Sequence, residues 1–182
     1  ESLVPTDASY EYIVIVEDAT NNTGNPVTVN AGKTADKSAI AALAKDETDA
    51  TELTGNTLTV NGTVTGRAVG ANSYAGDVTQ NNVTINDGAT VNGFIAGGMT
   101  ANGTADGNVV TINGGTITGD VYGGYSEKAA TNNTVNLAGG TINGTVYGGY
   151  VAGTSTATPK KNMPRRALAA TTGSTSGNML NV

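Results

Sequence analysis

Cysteine, histidine and tryptophan are absent from these 182 residues, phenylalanine occurs once, and aromatic residues make up only 4%. Without cysteine there is no disulfide framework to staple a small fold. Without histidine or cysteine, the usual nucleophile–base pairs of hydrolases have no members. Charged residues are also scarce, at 13%, which excludes a solvated, self-repelling disordered chain. No run approaches the ~18 apolar residues of a membrane-spanning helix. The opening stretch ESLVPTDASY has neither the basic start nor the apolar centre of a signal peptide.

What is present is glycine, 26 residues of it, among abundant asparagine, threonine and small β-branched residues. Such a chain cannot fill a broad, thick core, but it can line a thin one. The net charge of −6 is unevenly spread. Lys160, Lys161, Arg165 and Arg166 share one acid-free stretch, so the other five basic residues face all fifteen acids, a balance of −10. An acidic body of this kind does not suit nucleic acid or an anionic membrane surface.

The chain repeats itself, and fixed periods of this length mark solenoids. Residues 108–125 read NVVTINGGTITGDVYGGY and residues 133–150 read NTVNLAGGTINGTVYGGY. Residues 81–99, NNVTINDGATVNGFIAGGM, and 56–71, NTLTVNGTVTGRAVGA, follow the same pattern. Units start at Asn56, Asn81, Asn108 and Asn133, at spacings of 25, 27 and 25 residues. NPVTVNAG from Asn25 reads as the opening of an earlier unit. NMLNV from Asn178 reads as the start of another, so the natural protein is expected to be longer.

Each unit holds three short runs of alternating polarity, broken by Gly and Asn. The first places Leu58/Val60, Val83/Ile85, Val110/Ile112 and Val135/Leu137 inward. The second contributes Val64, Val91, Ile117 and Ile142, and the third Val69, Ile95, Val121 and Val146. Three strands per coil, stacked in register ~4.8 Å apart, make a right-handed parallel β-helix with like side chains in ladders. Leucine-rich repeats would need a helical half-unit, propeller blades a longer period, and a β-sandwich would not match column by column.

Residues 1–24 read as a capping segment, with YEYIVIVE at 10–17 as a strand over the first coil. Residues 25–182 are the β-helix. DKSAIAALAKDETD predicts a helical insertion at about 34–54, capped by Asp36 or Ser38, followed by a solvated acidic turn at Asp46, Glu47, Asp49 and Glu52. Residues 151–175 have loop composition, and 176–182 begin an incomplete coil.

The columns allow a search for chemistry. Arg67, Phe94, Asp120 and Thr145 stack after the second run. Asn61, Asn86, Asn113 and Ala138 stack after the first, where the amides bond along the stack. No column pairs two acids as a glycosidase requires, and no calcium-binding repeat is spelled out. The reading is therefore a non-enzyme without cofactor or metal. Thr63, Thr90, Thr116 and Thr141 form one ladder, with Thr65, Asn92, Thr118 and Asn143 two residues on. An ice-binding solenoid would present such ladders.

The unit NGGTITGDVYGGYS at 113–126, followed by a variable linker and NNTV at 132–135, resembles the passenger-domain repeats of bacterial autotransporter (type V secretion) adhesins. The resemblance covers residues 56–150 and the segment at Asn178. It implies export to the cell surface, a C-terminal membrane β-barrel, and a role in adhesion or aggregation with a surface protein, a glycan or another copy as partner. Residue roles are not carried by that resemblance. Alternatives are a carbohydrate-active β-helix whose site lies outside this segment, and an inert surface stalk.

Four of the seven tyrosines stand in the two VYGGY pentapeptides. With Val121 and Val146 inward, Tyr122 and Tyr147 should point outward and stack. Gly123-Gly124 and Gly148-Gly149 read as corners covered by Tyr125 and Tyr150. These four tyrosines and the basic residues Lys160, Lys161, Arg165 and Arg166 are the candidate binding residues.

Overall fold

The structure, a computed structural model, describes residues 12–14, 23–44, 47–152 and 174–182. The chain winds as a right-handed parallel β-solenoid. Each full coil visits four sheets. Sheet one contains Pro26–Val29, Thr57–Val60, Asn82–Ile85, Val109–Ile112, Thr134–Leu137 and Met179–Asn181. Sheet two contains Thr34–Ala35, Thr63–Val64, Thr90–Val91, Thr116–Ile117 and Thr141–Ile142. Sheet three contains Tyr12–Val14, Ser38–Ala44, Ala68–Ser73, Ile95–Thr100, Val121–Ser126 and Val146–Val151. Sheet four contains Leu53–Thr54, Val78–Thr79, Thr104–Asp106, Ala129–Thr131 and Ser174–Ser176.

The fold class follows the sequence pattern, with corrections in detail. Coils have four strands, not three. The fourth lies in the segments between repeats, where each strand sends a single buried side chain inward: Leu53, Val78, Ala105 or Ala130. One inward residue in a strand of two or three cannot display a period. The helical insertion at 34–54 is an ordinary coil. Ser38–Ala44 is a sheet-three strand paired in register with Ala68–Ser73. Ala and Leu favour a helix by intrinsic propensity. Here Ile40, Ala41 and Ala42 are fully or almost fully buried on both sides of the strand, and that packing, with pairing on both edges, overrides propensity. Tyr12–Val14 is the terminal strand of sheet three, parallel to Ser38–Ile40. Lys160, Lys161, Arg165, Arg166 and most of the 151–175 segment lie outside the described residues; Val151 ends one strand and Ser174–Ser176 forms another.

The interior is divided by a column of asparagines. On one side, Leu58, Val83, Val110 and Val135 meet Val64, Val91 and Ile117 and the inner residues Ala68, Ile95, Val121 and Val146. On the other, Ala42 and Ala71 meet Leu53, Val78, Ala105 and Ala130. Each fully buried Val, Leu or Ile contributes ~1.5–3 kcal/mol. Between the two, Asn56, Asn81, Asn108 and Asn133 are 0% exposed. Asn108 donates its backbone N–H and its Nδ2 to Asn133 Oδ1, at 3.0 and 2.9 Å, and its Nδ2 also to the Val78 carbonyl. Asn81 does the same toward Asn108 and Leu53, and Asn133 toward Asn178 and Ala105. A buried amide left unpaired would cost ~1–3 kcal/mol. In this column each amide is satisfied by the coils on either side.

The column forces its surroundings. The residue before each ladder asparagine is left-handed, with φ of +63° at Gly107 and +54° at Asn132, which turns the chain from sheet four into sheet one. Gly98 and Gly124 lie opposite the ladder amides. A Cβ on Gly124 would stand 2.5 Å from the Asn133 amide, and one on Gly98 2.6 Å from Asn108 Oδ1. Val121–Ser126 and Val146–Val151 are each one continuous strand, and the expected corners at Gly123-Gly124 and Gly148-Gly149 are corrected. The glycines make room for an amide rather than turning the chain.

Candidate aromatic face and groove

Sheet three alternates between the core and the outside. Ala68, Ile95, Val121 and Val146 face in, while Ile40, Val69, Ala96, Tyr122 and Tyr147 form one outward column in register. Val69 thus belongs to the tyrosine column, and Ala68 takes the inward place expected of it. The neighbouring outward column is Leu43, Asn72, Met99, Tyr125 and Tyr150.

Tyr122 and Tyr147 stack at 5.2 Å with planes 7° apart, and Tyr125 and Tyr150 at 5.4 Å and 21°. Edge contacts join the two pairs: Tyr122–Tyr125 at 5.5 Å and Tyr147–Tyr150 at 5.1 Å. Phe94 meets Tyr122 edge-on at 6.0 Å, and the Arg67 guanidinium lies 5.8 Å from the Phe94 ring centre. Such aromatic pairs contribute ~0.5–1.5 kcal/mol each beyond their buried area. The outward, stacked tyrosines match the sequence expectation, but Tyr147 is only 7% exposed. The four tyrosines form a packed layer, not four free side chains.

Asp120 anchors one side of this layer. It accepts a hydrogen bond from the Tyr122 hydroxyl at 3.1 Å and one from the Thr145 backbone N–H at 2.7 Å. Burial, then the Asp120 charge and its hydrogen bond, push the Tyr122 hydroxyl far above its ordinary pKa. Burial also raises Tyr125, with help from Glu127, and Tyr147, with help from Asp120.

Beside the layer, where sheet three turns toward sheet four, lies a groove of about 390 Å³. Its floor includes Leu43, Asn72, Met99 and Tyr125, and Tyr74 and Glu127 stand on its rim. Tyr74 is 42% exposed. The sequence reading missed this groove. Tyr74 and Glu127 lie in turns that differ from repeat to repeat, so no column announces them.

The other predicted columns are in place. Asn86 Nδ2 donates to Asn61 Oδ1 at 2.7 Å and Asn113 Nδ2 to Asn86 Oδ1 at 2.9 Å. The threonine ladder runs Thr34, Thr63, Thr90, Thr116, Thr141, one coil longer than expected. The acidic turn is locally engaged: Asp49 accepts from the Thr51 N–H at 2.9 Å, and Glu52 bonds Thr79.

No protein-family model, no curated protein and no solved structure matches the chain.

Proposed function

We propose that this chain is a non-enzymatic, rigid display segment of a surface-exposed autotransporter-type adhesin, acting at the bacterial cell surface in adhesion or aggregation. The observation that carries this reading is the unbroken register. Thr28, Thr59, Thr84, Thr111, Asn136 and Asn181 follow one another in a single column through every coil of sheet one. A stack locked coil to coil resists bending and shear, as a stalk that holds a binding surface away from a cell must. The polar faces fit the same role. Sheets one and two turn Thr and Asn outward, while the aromatic side chains are gathered on sheet three. Among the described residues, the aromatic chemistry that would recognise a partner thus lies on one side of the rod.

The test is adhesion by the isolated chain. Beads coated with the 182-residue chain are expected to attach to host or bacterial cells, or to aggregate, above the level of beads coated with an unrelated acidic protein. Beads carrying a version without residues 153–173 show whether the binding surface is the solenoid itself. Absence of attachment and aggregation with both versions would overturn the adhesin reading and leave an inert stalk.

A further inference from the structure

All six aromatic residues whose side chains are described lie on one face of the solenoid or at its rim. Phe94, Tyr122, Tyr125, Tyr147 and Tyr150 form the ring layer, and Tyr74 borders the groove beside it. Every other outward strand column is dominated by Thr, Asn or small residues. Packing explains the layer, because its rings bury one another. It does not explain Tyr74, the one exposed aromatic among the described side chains. That ring borders a concavity whose volume falls at the low end of small-ligand sites.

Of the groove's polar groups, the Ser73 and Thr100 hydroxyls are spent on the backbone of the adjoining turns. Asn72 and Glu127 have no side-chain hydrogen bond or ion pair among the described residues. Leu43, Asn72, Met99 and Tyr125 are successive members of one column, so the groove runs along the solenoid axis for three coil spacings, ~14 Å. An elongated trough with an aromatic rim, apolar floor, one amide and one carboxylate fits the two-sided chemistry of a pyranose chain. The C–H faces of the sugar lie on tyrosine, leucine and methionine, and its hydroxyls donate to the carboxylate and exchange hydrogen bonds with the amide. Charge narrows the class. Among the described residues no cation lines the groove, and Glu127 stands on its rim in a chain of net charge −6. A uronate or sialylated chain would be repelled, and so would a second copy of this acidic protein.

We propose that this groove binds an uncharged oligosaccharide, a chain of neutral hexopyranose units. The proposal deepens the adhesin reading and rests on it for its setting, a glycan-bearing cell surface. The chain has no tryptophan, so tyrosine emission reports binding directly. Cellohexaose, maltohexaose and mannohexaose are titrated into the 182-residue chain, with hexagalacturonate as the anionic comparison. A saturable change is expected with at least one neutral hexaose and none with the uronate. Tyr74→Ala, at an exposed position, should weaken binding about tenfold with its melting temperature unchanged. Three results would overturn the proposal: no response to any neutral hexaose, equal binding of hexagalacturonate, or binding indifferent to Tyr74→Ala. Attachment of coated beads to cells without saccharide binding, lost in Tyr74→Ala, would assign the groove to a protein partner and also overturn it, while leaving the adhesin reading standing. Saccharide binding without bead attachment would support the groove and count against that reading.

Discussion

Asn108 and Asn86 are the same residue at neighbouring corners of the same solenoid, and each belongs to a ladder repeated from coil to coil. Asn108 is 0% exposed and donates to a side chain in the following coil and a carbonyl in the preceding one. Asn86 is half-buried and makes one side-chain bond to each neighbour. In the buried column water cannot replace a lost partner, so the amide specifies register. In the outer column water can, so the amide merely decorates a turn. Like ladders therefore differ in energetic consequence by where they stand, not by how they look.

Breaking the buried column is expected to have the largest effect. Asn108→Asp removes both Nδ2 donors and places a carboxylate where no water reaches. Urea denaturation should show a loss of at least about 3 kcal/mol at neutral pH. A loss comparable to that of a surface change would mean the column is dispensable. Crowding the column from the opposite side comes next. Gly124→Ala drives a methyl group into the Asn133 amide and should cost about 1–3 kcal/mol by the same measurement.

The aromatic layer offers a test in pH. Tyr122, Tyr125 and Tyr147 ionise less readily in the folded chain than the ordinary value of 10.0. Above that value the unfolded chain releases protons that the folded chain retains, so stability falls as pH rises. Below it both states are protonated and the contribution is fully present. The melting temperature should hold steady up to the ordinary tyrosine range and drop beyond it, and Tyr122→Phe should reduce the alkaline drop. Alkaline stability unchanged by pH would contradict the packed layer. The smallest effect is expected at the outer ladder: Asn86→Ala should shift stability by only about 0.5 kcal/mol.

Much of the fold was legible because inward aliphatics recur at fixed places: Val83/Ile85, Val110/Ile112 and Val135/Leu137 announce sheet one without any structure. The rest was hidden for identifiable reasons. Val78 and Ala105 are single inward residues in polar surroundings, too short to show alternation. The SAIAALA segment is helical by propensity and a strand by context. Gly-Gly in VYGGY has the composition of a turn, and its purpose appears only when Asn133 is placed opposite it. Asn56, Asn81, Asn108 and Asn133 marked the repeat starts in the sequence, yet asparagine before a strand ordinarily signals a turn, and nothing local distinguishes an amide facing solvent from one facing inward. The outward stacking of Tyr122 and Tyr147 followed from alternation. The groove did not, because Tyr74 and Glu127 belong to turns outside the repeat.

The most direct test of a rigid, register-locked rod is a distance along it. Thr28 and Asn181 are the first and last members of one sheet-one column, and the chain has no native cysteine. Spin labels on Thr28→Cys and Asn181→Cys can therefore be placed without competition. Five coil spacings predict a single narrow distribution centred near 24 Å, apart from the label arms. A broad distribution, or one displaced by a coil spacing or more, would contradict the account.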